Sequence, residues 1–211
     1  PALIGIEVTA DRVVIKAATT HYDVATNAQV QKAIPALAAL AGMIGDPAVR
    51  YRGTIGGSLA NNDPAADYPA AVLALNATVK TNKREIAADD FFQGLFATAL
   101  EEGELITAVQ FPIPRRAAYV KFPQPASRFA LIGVFVAETA AGVRVAVTGG
   151  GSGVFRHAQM EAALSSNFNA SAIAGIGSDA EQMSSDLHAS NAYRAHLVGV
   201  MATRAVEQAL K

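Results

Sequence analysis

The alternation of apolar and polar residues divides the chain into short strands and helices. Residues 11–18 are predicted to form a strand, because β-branched side chains stand between polar ends. A helix is predicted to begin close to Pro35, since proline is tolerated in a first helical turn. Its apolar face is formed by residues spaced at i, i+3, i+7 and i+10, namely Ile34, Leu37, Ala41 and Ile44.

Capping and turn residues limit several further elements. Thr20 and Asp23 fit a capping box, which predicts that a short helix starts directly after Thr20. Two strands are predicted within residues 77–87, joined by a hairpin tip at Asn82-Lys83. Another strand is expected at residues 105–111, where two prolines follow.

The pattern changes after the Pro-Ile-Pro-Arg-Arg stretch at residues 112–116. Strand-like runs follow at 117–122, 129–138 and 143–148, with a hairpin turn at 140–142. Helices dominate the remainder, and the clearest carries Tyr193, Leu197, Val200 and Met201 on one face. We therefore predict an α+β protein with one domain at residues 1–113 and a second at 114–211. The second is expected to be a three-stranded antiparallel sheet with packed helices.

Composition narrows the classes of function. The chain has 211 residues, is 51% hydrophobic, and carries 17 basic and 18 acidic residues for a net charge of -1. Such a balance gives no bulk electrostatic reason to bind nucleic acid or an anionic membrane. The longest apolar run, residues 129–137, is far shorter than the roughly 18 residues of a membrane span. No signal peptide is recognisable, and we expect a cytoplasmic protein.

The chain contains no cysteine. This excludes a disulfide, a thiol nucleophile and a cysteine-ligated iron–sulfur cluster on this chain. The four histidines are scattered and show no spacing typical of metal ligands, so no metal site is predicted.

The strongest chemical signal is the run Thr54-Ile55-Gly56-Gly57-Ser58. Adjacent glycines can adopt positive φ and bring the backbone close to a ligand, and successive N–H groups can surround a diphosphate. The run is neither a Walker loop nor a G-x-G-x-x-G fingerprint. For the glycines alone, a tight turn between a strand and a loop is the favoured interpretation, and residues 59–69 are predicted to be an ordered loop.

The longer run at residues 52–70, Arg-Gly-Thr-Ile-Gly-Gly-Ser-Leu-Ala-Asn-Asn-Asp-Pro-Ala-Ala-Asp-Tyr-Pro-Ala, resembles the second FAD-binding motif of the medium subunits of molybdenum hydroxylases. These are the carbon monoxide dehydrogenase and xanthine dehydrogenase enzymes. Further segments are similar to the same family, at residues 44–50, 103–112, 119–122 and 185–194. The resemblance implies a PCMH-type FAD-binding subdomain followed by the C-terminal domain of the subunit.

The resemblance also implies roles for individual residues. Five of them would line the FAD pyrophosphate: Thr54, Ile55, Gly56, Gly57 and Ser58. Asn61 and Asp67 would contact FAD, Ile44 would lie near the adenine, and Ile106 and Lys121 would lie near the isoalloxazine. A lysine there could stabilise negative charge on reduced flavin. No catalytic acid–base pair is predicted on this chain.

Simpler interpretations of the same residues stay open. Asp67 could cap the next turn, and Lys121 could be a solvated charge on an edge strand. Ile44 and Ile106 could be core residues, and Asn61 a turn residue. The glycine run at residues 149–153 is read as a flexible turn, because it lacks the lysine and the following helix of a phosphate loop.

The function implied by the resemblance is electron transfer. A molybdopterin large subunit would oxidise the substrate, and 2Fe-2S clusters on a small partner subunit would carry the electrons to FAD on this subunit. The FAD would pass them to an external acceptor. The first glycine-rich loop of the family is not found in this sequence, so the alternative is an assembly module that docks onto its partners without holding flavin. A flavoprotein of the vanillyl-alcohol oxidase type is a further alternative, but no histidine neighbours the glycine run as covalent flavin attachment would require.

Overall fold

The computed structural model describes residues 2–211 and contains two antiparallel sheets with helices packed against them. Up to residue 112 the elements are β1 (Ile6–Val8), β2 (Arg12–Lys16), α1 (His21–Thr26), α2 (Ala28–Ala33), α3 (Pro35–Gly42), α4 (Pro47–Arg52), α5 (Ile55–Asn61), α6 (Tyr68–Ala74), β3 (Thr78–Thr81), β4 (Glu85–Ala87), α7 (Ala88–Phe91) and β5 (Ile106–Pro112). The first sheet has the order β1-β2-β5-β3-β4. Its central strand β5 pairs antiparallel with both β2 and β3.

The second sheet begins four residues after the first one ends. Its strands are β6 (Arg116–Pro123), β7 (Ala130–Thr139), β8 (Gly142–Thr148) and β9 (Phe155–Arg156), paired in that order. Helix α8 (Ala158–Ser166), two 3-10 turns at Ala170–Ile173 and Ala180–Gln182, and helix α9 (Asn191–Ala209) complete the chain. The predicted α+β fold is confirmed. The second sheet has four strands and not the predicted three, because Phe155 and Arg156 pair with the end of β8.

The second sheet is buried on both faces. On one face, Tyr119, Phe135 and Ala146 join the apolar core that the first sheet forms with α1, α3 and α6. On the other face, Val134, Val136, Val145 and Val147 pack against α9 and α8. All of residues 130–137 of β7 are buried. Because both faces of the strand are covered, these residues are apolar without alternation.

Two helices that pack near the first sheet begin where the sequence predicts. Thr20 accepts a hydrogen bond from the Asp23 N–H at 3.1 Å and caps α1. Pro35 occupies the first turn of α3, whose residues Leu37 and Ala41 are fully buried. Both predicted helix starts are therefore confirmed.

The glycine run departs from the prediction. We expected a turn with positive φ and then a loop to residue 69, but residues 55–61 form α5, and neither Gly56 nor Gly57 has positive φ. The helix forms because Thr54 caps it, accepting the Gly57 N–H at 3.1 Å. Asp46 and Pro47 start α4 in the same way, so a helix and not a strand precedes the glycines. The irregular segment is limited to residues 62–67.

Across residues 2–211, no helix is long and apolar enough to cross a membrane.

Candidate functional site

Two helix starts lie side by side at the centre of the candidate site. Thr20 before α1 and Thr54 before α5 form an antiparallel bridge. The His21 N–H donates to the Gly53 carbonyl at 3.0 Å, and the Ile55 N–H donates to the Thr19 carbonyl at 3.2 Å. The two segments therefore hold each other, and the first turn of α5 is fixed in position before any ligand binds.

The two glycines of α5 have different surroundings. The Gly56 N–H donates to the Ala17 carbonyl at 2.8 Å, and a Cβ on Gly56 would lie 2.6 Å from the Ala17 Cβ. Gly57 is exposed, and a Cβ there would meet only the Thr54 Oγ1, at 3.1 Å. Gly56 thus permits close packing of α5 on β2, whereas Gly57 keeps the outer face of the helix free of a side chain.

A cavity of about 250 Å³ opens on that outer face. Of the ten predicted site residues, five line it: Ile44, Gly57, Ser58, Asn61 and Asp67. His21, Gly45, Val49, Asp63, Ala66, Ser127, Arg128 and Phe129 complete the lining. Ligand pockets usually measure roughly 300–1,000 Å³, so this one suits a part of a dinucleotide.

The donor groups in the cavity suit a polar ligand. Within residues 2–211, the side chains of Ser58 and Asn61 make no hydrogen bond to the protein. A hydroxyl and an amide can each donate and accept, which matches phosphate oxygens and sugar hydroxyls. Together with the surface left free by Gly57, these groups fit the diphosphate part of FAD. Over the same residues, no cluster of three His, Asp or Glu side chains could hold a metal ion.

The other predicted residues lie outside the lining. Ile55 is fully buried in the core and Gly56 packs on Ala17. Their N–H groups donate to the Thr19 and Ala17 carbonyls and are not free to bind a ligand. Thr54 acts as the cap of α5. Ile106 is 7% exposed at the start of β5 and belongs to the core of the first sheet, as its apolar periodicity alone had suggested.

Asp67 and Lys121 form a buried ion pair next to the cavity. The Lys121 Nζ lies 3.0 Å from the Asp67 Oδ2, and the two side chains are 3% and 4% exposed. Lys121 also donates to the Met43 carbonyl at 2.9 Å, and Tyr119 donates to the Asp67 Oδ1. Asp67 therefore makes no capping bond to α6, and Lys121, although it lies on the edge strand β6, is not a solvated charge.

Burial dominates the titration of this cluster. It raises the pKa of the Asp67 carboxyl, while the Lys121 charge and the two hydrogen bonds oppose that rise. Burial, followed by the negative charge of Asp67, also raises the pKa of Tyr119 well above its usual value. His21, which is 5% exposed, has its pKa lowered to about 4 by desolvation, so its ring is neutral at pH 7.

Sequence reasoning missed three contributors to the site. Tyr119 stands two residues before Lys121, so both side chains lie on one face of β6, and that spacing was the available signal. His21 follows the capping threonine, which was used only to place the helix. Residues 127–129 reach the cavity from the β6–β7 connection, and no local pattern indicated this.

Comparison with known proteins agrees with this geometry. Residues 1–114 match the family described as the FAD binding domain in molybdopterin dehydrogenase. The nicotine 6-hydroxylase medium subunit of Paenarthrobacter nicotinovorans is 33% identical over 99% of this chain and 79% of that relative. The carbon monoxide dehydrogenase medium chain of Afipia carboxidovorans is 36% identical over 66% of this chain and 51% of that relative.

A solved structure shows the same architecture over the whole chain. Carbon monoxide dehydrogenase from Hydrogenophaga pseudoflava, in a form that lacks the Mo-pyranopterin moiety of its cofactor, superimposes with a TM-score of 0.89 at 31% identity, covering 100% of this chain and 79% of the other. The chain therefore belongs to the family of FAD-binding domains in molybdopterin dehydrogenases. Relatives that match more than 90% of this chain include a hydroxylase medium subunit and a dehydrogenase medium chain, which confirms the resemblance, the flavin cofactor and the enzyme class predicted from the sequence.

Proposed function

We propose that this chain is the electron-transfer subunit of a molybdenum hydroxylase, and that FAD binds in the cavity between α5 and the β6–β7 connection. The observation that carries the proposal is that Ile44, Gly57, Ser58, Asn61 and Asp67 line one cavity, which residues 127–129 complete from a distant part of the chain. FAD supplies the redox chemistry when it is bound, and the chain supplies binding, orientation and electrostatics.

Each lining residue has a distinct task in this proposal. Gly57 leaves room for the diphosphate at the outer face of α5, and Ser58 and Asn61 donate hydrogen bonds to it. Ile44 offers an apolar contact in the same cavity. Lys121 acts from behind Asp67, so its charge is largely balanced by the carboxylate 3.0 Å away. The Asp67–Lys121 pair therefore presents close to no net charge to the flavin, unlike an isolated lysine.

The partners follow from the chemistry that this chain lacks. It contains no cysteine that could ligate an iron–sulfur cluster. We propose that 2Fe-2S clusters on a small subunit deliver electrons here, that a molybdopterin large subunit oxidises the substrate, and that the flavin passes electrons to an external acceptor. The names of the relatives as medium subunits and chains support this division of labour.

Flavin content of glycine variants tests the proposal. Gly57→Val places a branched side chain into the cavity, and we expect FAD affinity to fall at least about tenfold, which corresponds to only 1.4 kcal/mol of lost binding energy. Gly177→Val is the matched control, because Gly177 is exposed, has no positive φ and has nothing within 4 Å of its Cβ position. The proposal is wrong if Gly57→Val retains the flavin absorbance of the unmodified subunit.

A further inference from the structure

Tyr119 is a buried residue to which the proposed function has given no role. It is 2% exposed, its phenol donates to the Asp67 Oδ1, and its ring stacks on Phe135 with centroids 6.0 Å apart. The other oxygen of the same carboxylate accepts from Lys121 at 3.0 Å. Each oxygen of a carboxylate that lines the cavity is thus held by a separate side chain of β6.

Gly133 in the neighbouring strand makes the Tyr119 contact possible. It pairs with Lys121 in the β6–β7 ladder. A Cβ on Gly133 would overlap the Tyr119 hydroxyl and lie 2.9 Å from the Tyr119 Cζ. Glycine weakens a strand interior and is expected there where another group approaches closely. Here the approaching group is the phenol that bonds Asp67.

The second sheet also fixes the chain that leads to Asp67. The Thr148 hydroxyl in β8 lies 2.7 Å from the Ala66 carbonyl and 3.0 Å from the Pro64 carbonyl, and its one hydrogen is shared between these two acceptors. The Gly149 N–H donates to the same Pro64 carbonyl at 2.8 Å. The backbone before Asp67 and the Asp67 carboxylate are therefore both oriented by strands β6 and β8, and not by the helix α6 that Asp67 precedes.

We propose that Tyr119, in the space that Gly133 leaves, is a positioning residue that fixes the Asp67 carboxylate in the orientation that faces bound FAD. The inference rests on the proposed function, since it assigns Asp67 to the flavin cavity. A buried carboxylate held by one donor alone can rotate about its side-chain torsions, whereas two donors on a rigid strand leave one orientation. Pre-orientation of this kind improves affinity because less ordering is needed on binding.

Tyr119→Phe in the intact subunit tests the inference. This change keeps the ring against Phe135 and removes only the hydroxyl. We expect the Kd for FAD, measured by flavin fluorescence titration, to rise roughly three- to tenfold, the cost of ordering one side chain on binding. Tyr193→Phe on α9 is the matched control, because Tyr193 is 43% exposed and lies outside the cavity lining. The control is expected to leave the Kd unchanged.

A double variant distinguishes positioning from a general structural role. In an Asp67→Ala background, Tyr119→Phe should change the Kd less than about twofold, because residues that act as a unit are not additive. Independent, additive losses would overturn the inference. If Tyr119→Phe does not fold, Gly133→Ala serves instead: it displaces the hydroxyl, and an unchanged Kd there would overturn the inference as well.

The outcome for the unmodified subunit separates this inference from the proposed function. If the intact subunit binds no FAD at all, the proposed function fails. If it binds FAD and Tyr119→Phe binds it equally tightly, the proposed function stands and only the role of Tyr119 is refuted.

Discussion

Removal of Lys121 should destabilise the protein far more than removal of a comparable surface lysine. Lys121→Met keeps the length of the side chain but leaves the Asp67 carboxylate, which is 4% exposed, with Tyr119 as its remaining side-chain donor. Loss of one partner of a buried ion pair typically costs about 3–5 kcal/mol, because the other charge stays buried without compensation. We expect a loss of that size in the free energy of unfolding.

Lys80→Met is the matched control for this measurement. The Lys80 Nζ lies 2.9 Å from the Glu85 Oε1, the same separation as in the buried pair to within 0.1 Å, but the side chains are 41% and 56% exposed. Exposed pairs of this kind contribute about 0–1 kcal/mol. Urea unfolding followed by circular dichroism at pH 7 measures both variants. Equal losses for Lys121→Met and Lys80→Met would refute the argument that burial decides the value of the pair.

The loss of stability caused by Lys121→Met should depend on pH in a defined direction. Burial already raises the pKa of Asp67 in the folded protein, and Lys121→Met removes the strongest opposing influence. A carboxyl whose folded pKa lies above its unfolded value, about 3.9, stabilises the fold at low pH and loses that contribution as the pH rises through the folded pKa. The difference between unmodified protein and variant should therefore be larger at pH 8 than at pH 5, and a difference that shrinks with rising pH would contradict this.

Three further predictions concern stability. Gly56→Ala should lower the free energy of unfolding by about 1–3 kcal/mol, because the added methyl would lie 2.6 Å from the Ala17 Cβ. Urea unfolding measures this loss, and an unchanged midpoint would refute the close packing. Desolvation lowers the pKa of His21 to about 4, so the unfolded chain binds an extra proton between pH 6.5 and 4. The free energy of unfolding should therefore fall by about 3 kcal/mol as the pH drops through that window. His21→Leu should abolish this component, and an identical pH profile would contradict it. Arg194→Met should lower the free energy of unfolding by about 1–3 kcal/mol, since it removes the buried guanidinium that donates to the Leu131 and Gly149 carbonyls. The exposed Arg204→Met should change the melting temperature little, and equal melting temperatures for the two variants would refute the argument.

Several regular elements of the fold are predictable from local patterns. The cap at Thr20, the proline at the start of α3 and the hairpin at Asn82-Lys83 each depend on residues within one turn of one another, and the structure confirms them. The glycine run is the exception: its glycines favour a turn, but the Thr54 cap starts a helix there. A cap and the packing of α5 on Ala17 outweigh the intrinsic preference of two glycines.

The sequence by itself determined the class of protein, because a contiguous run at residues 52–70 carries the family motif. Only the tertiary structure decided which residues meet. Asp67 and Lys121 are 54 positions apart, and their pairing depends on how β6 passes the segment before α6. Gly56 and Gly57 likewise differ in role only because of the tertiary structure. Gly56 packs against Ala17, the residue after β2, whereas Gly57 faces the cavity. Such contacts are set by the packing of a sheet against helices, a long-range property that no local pattern of residues contains.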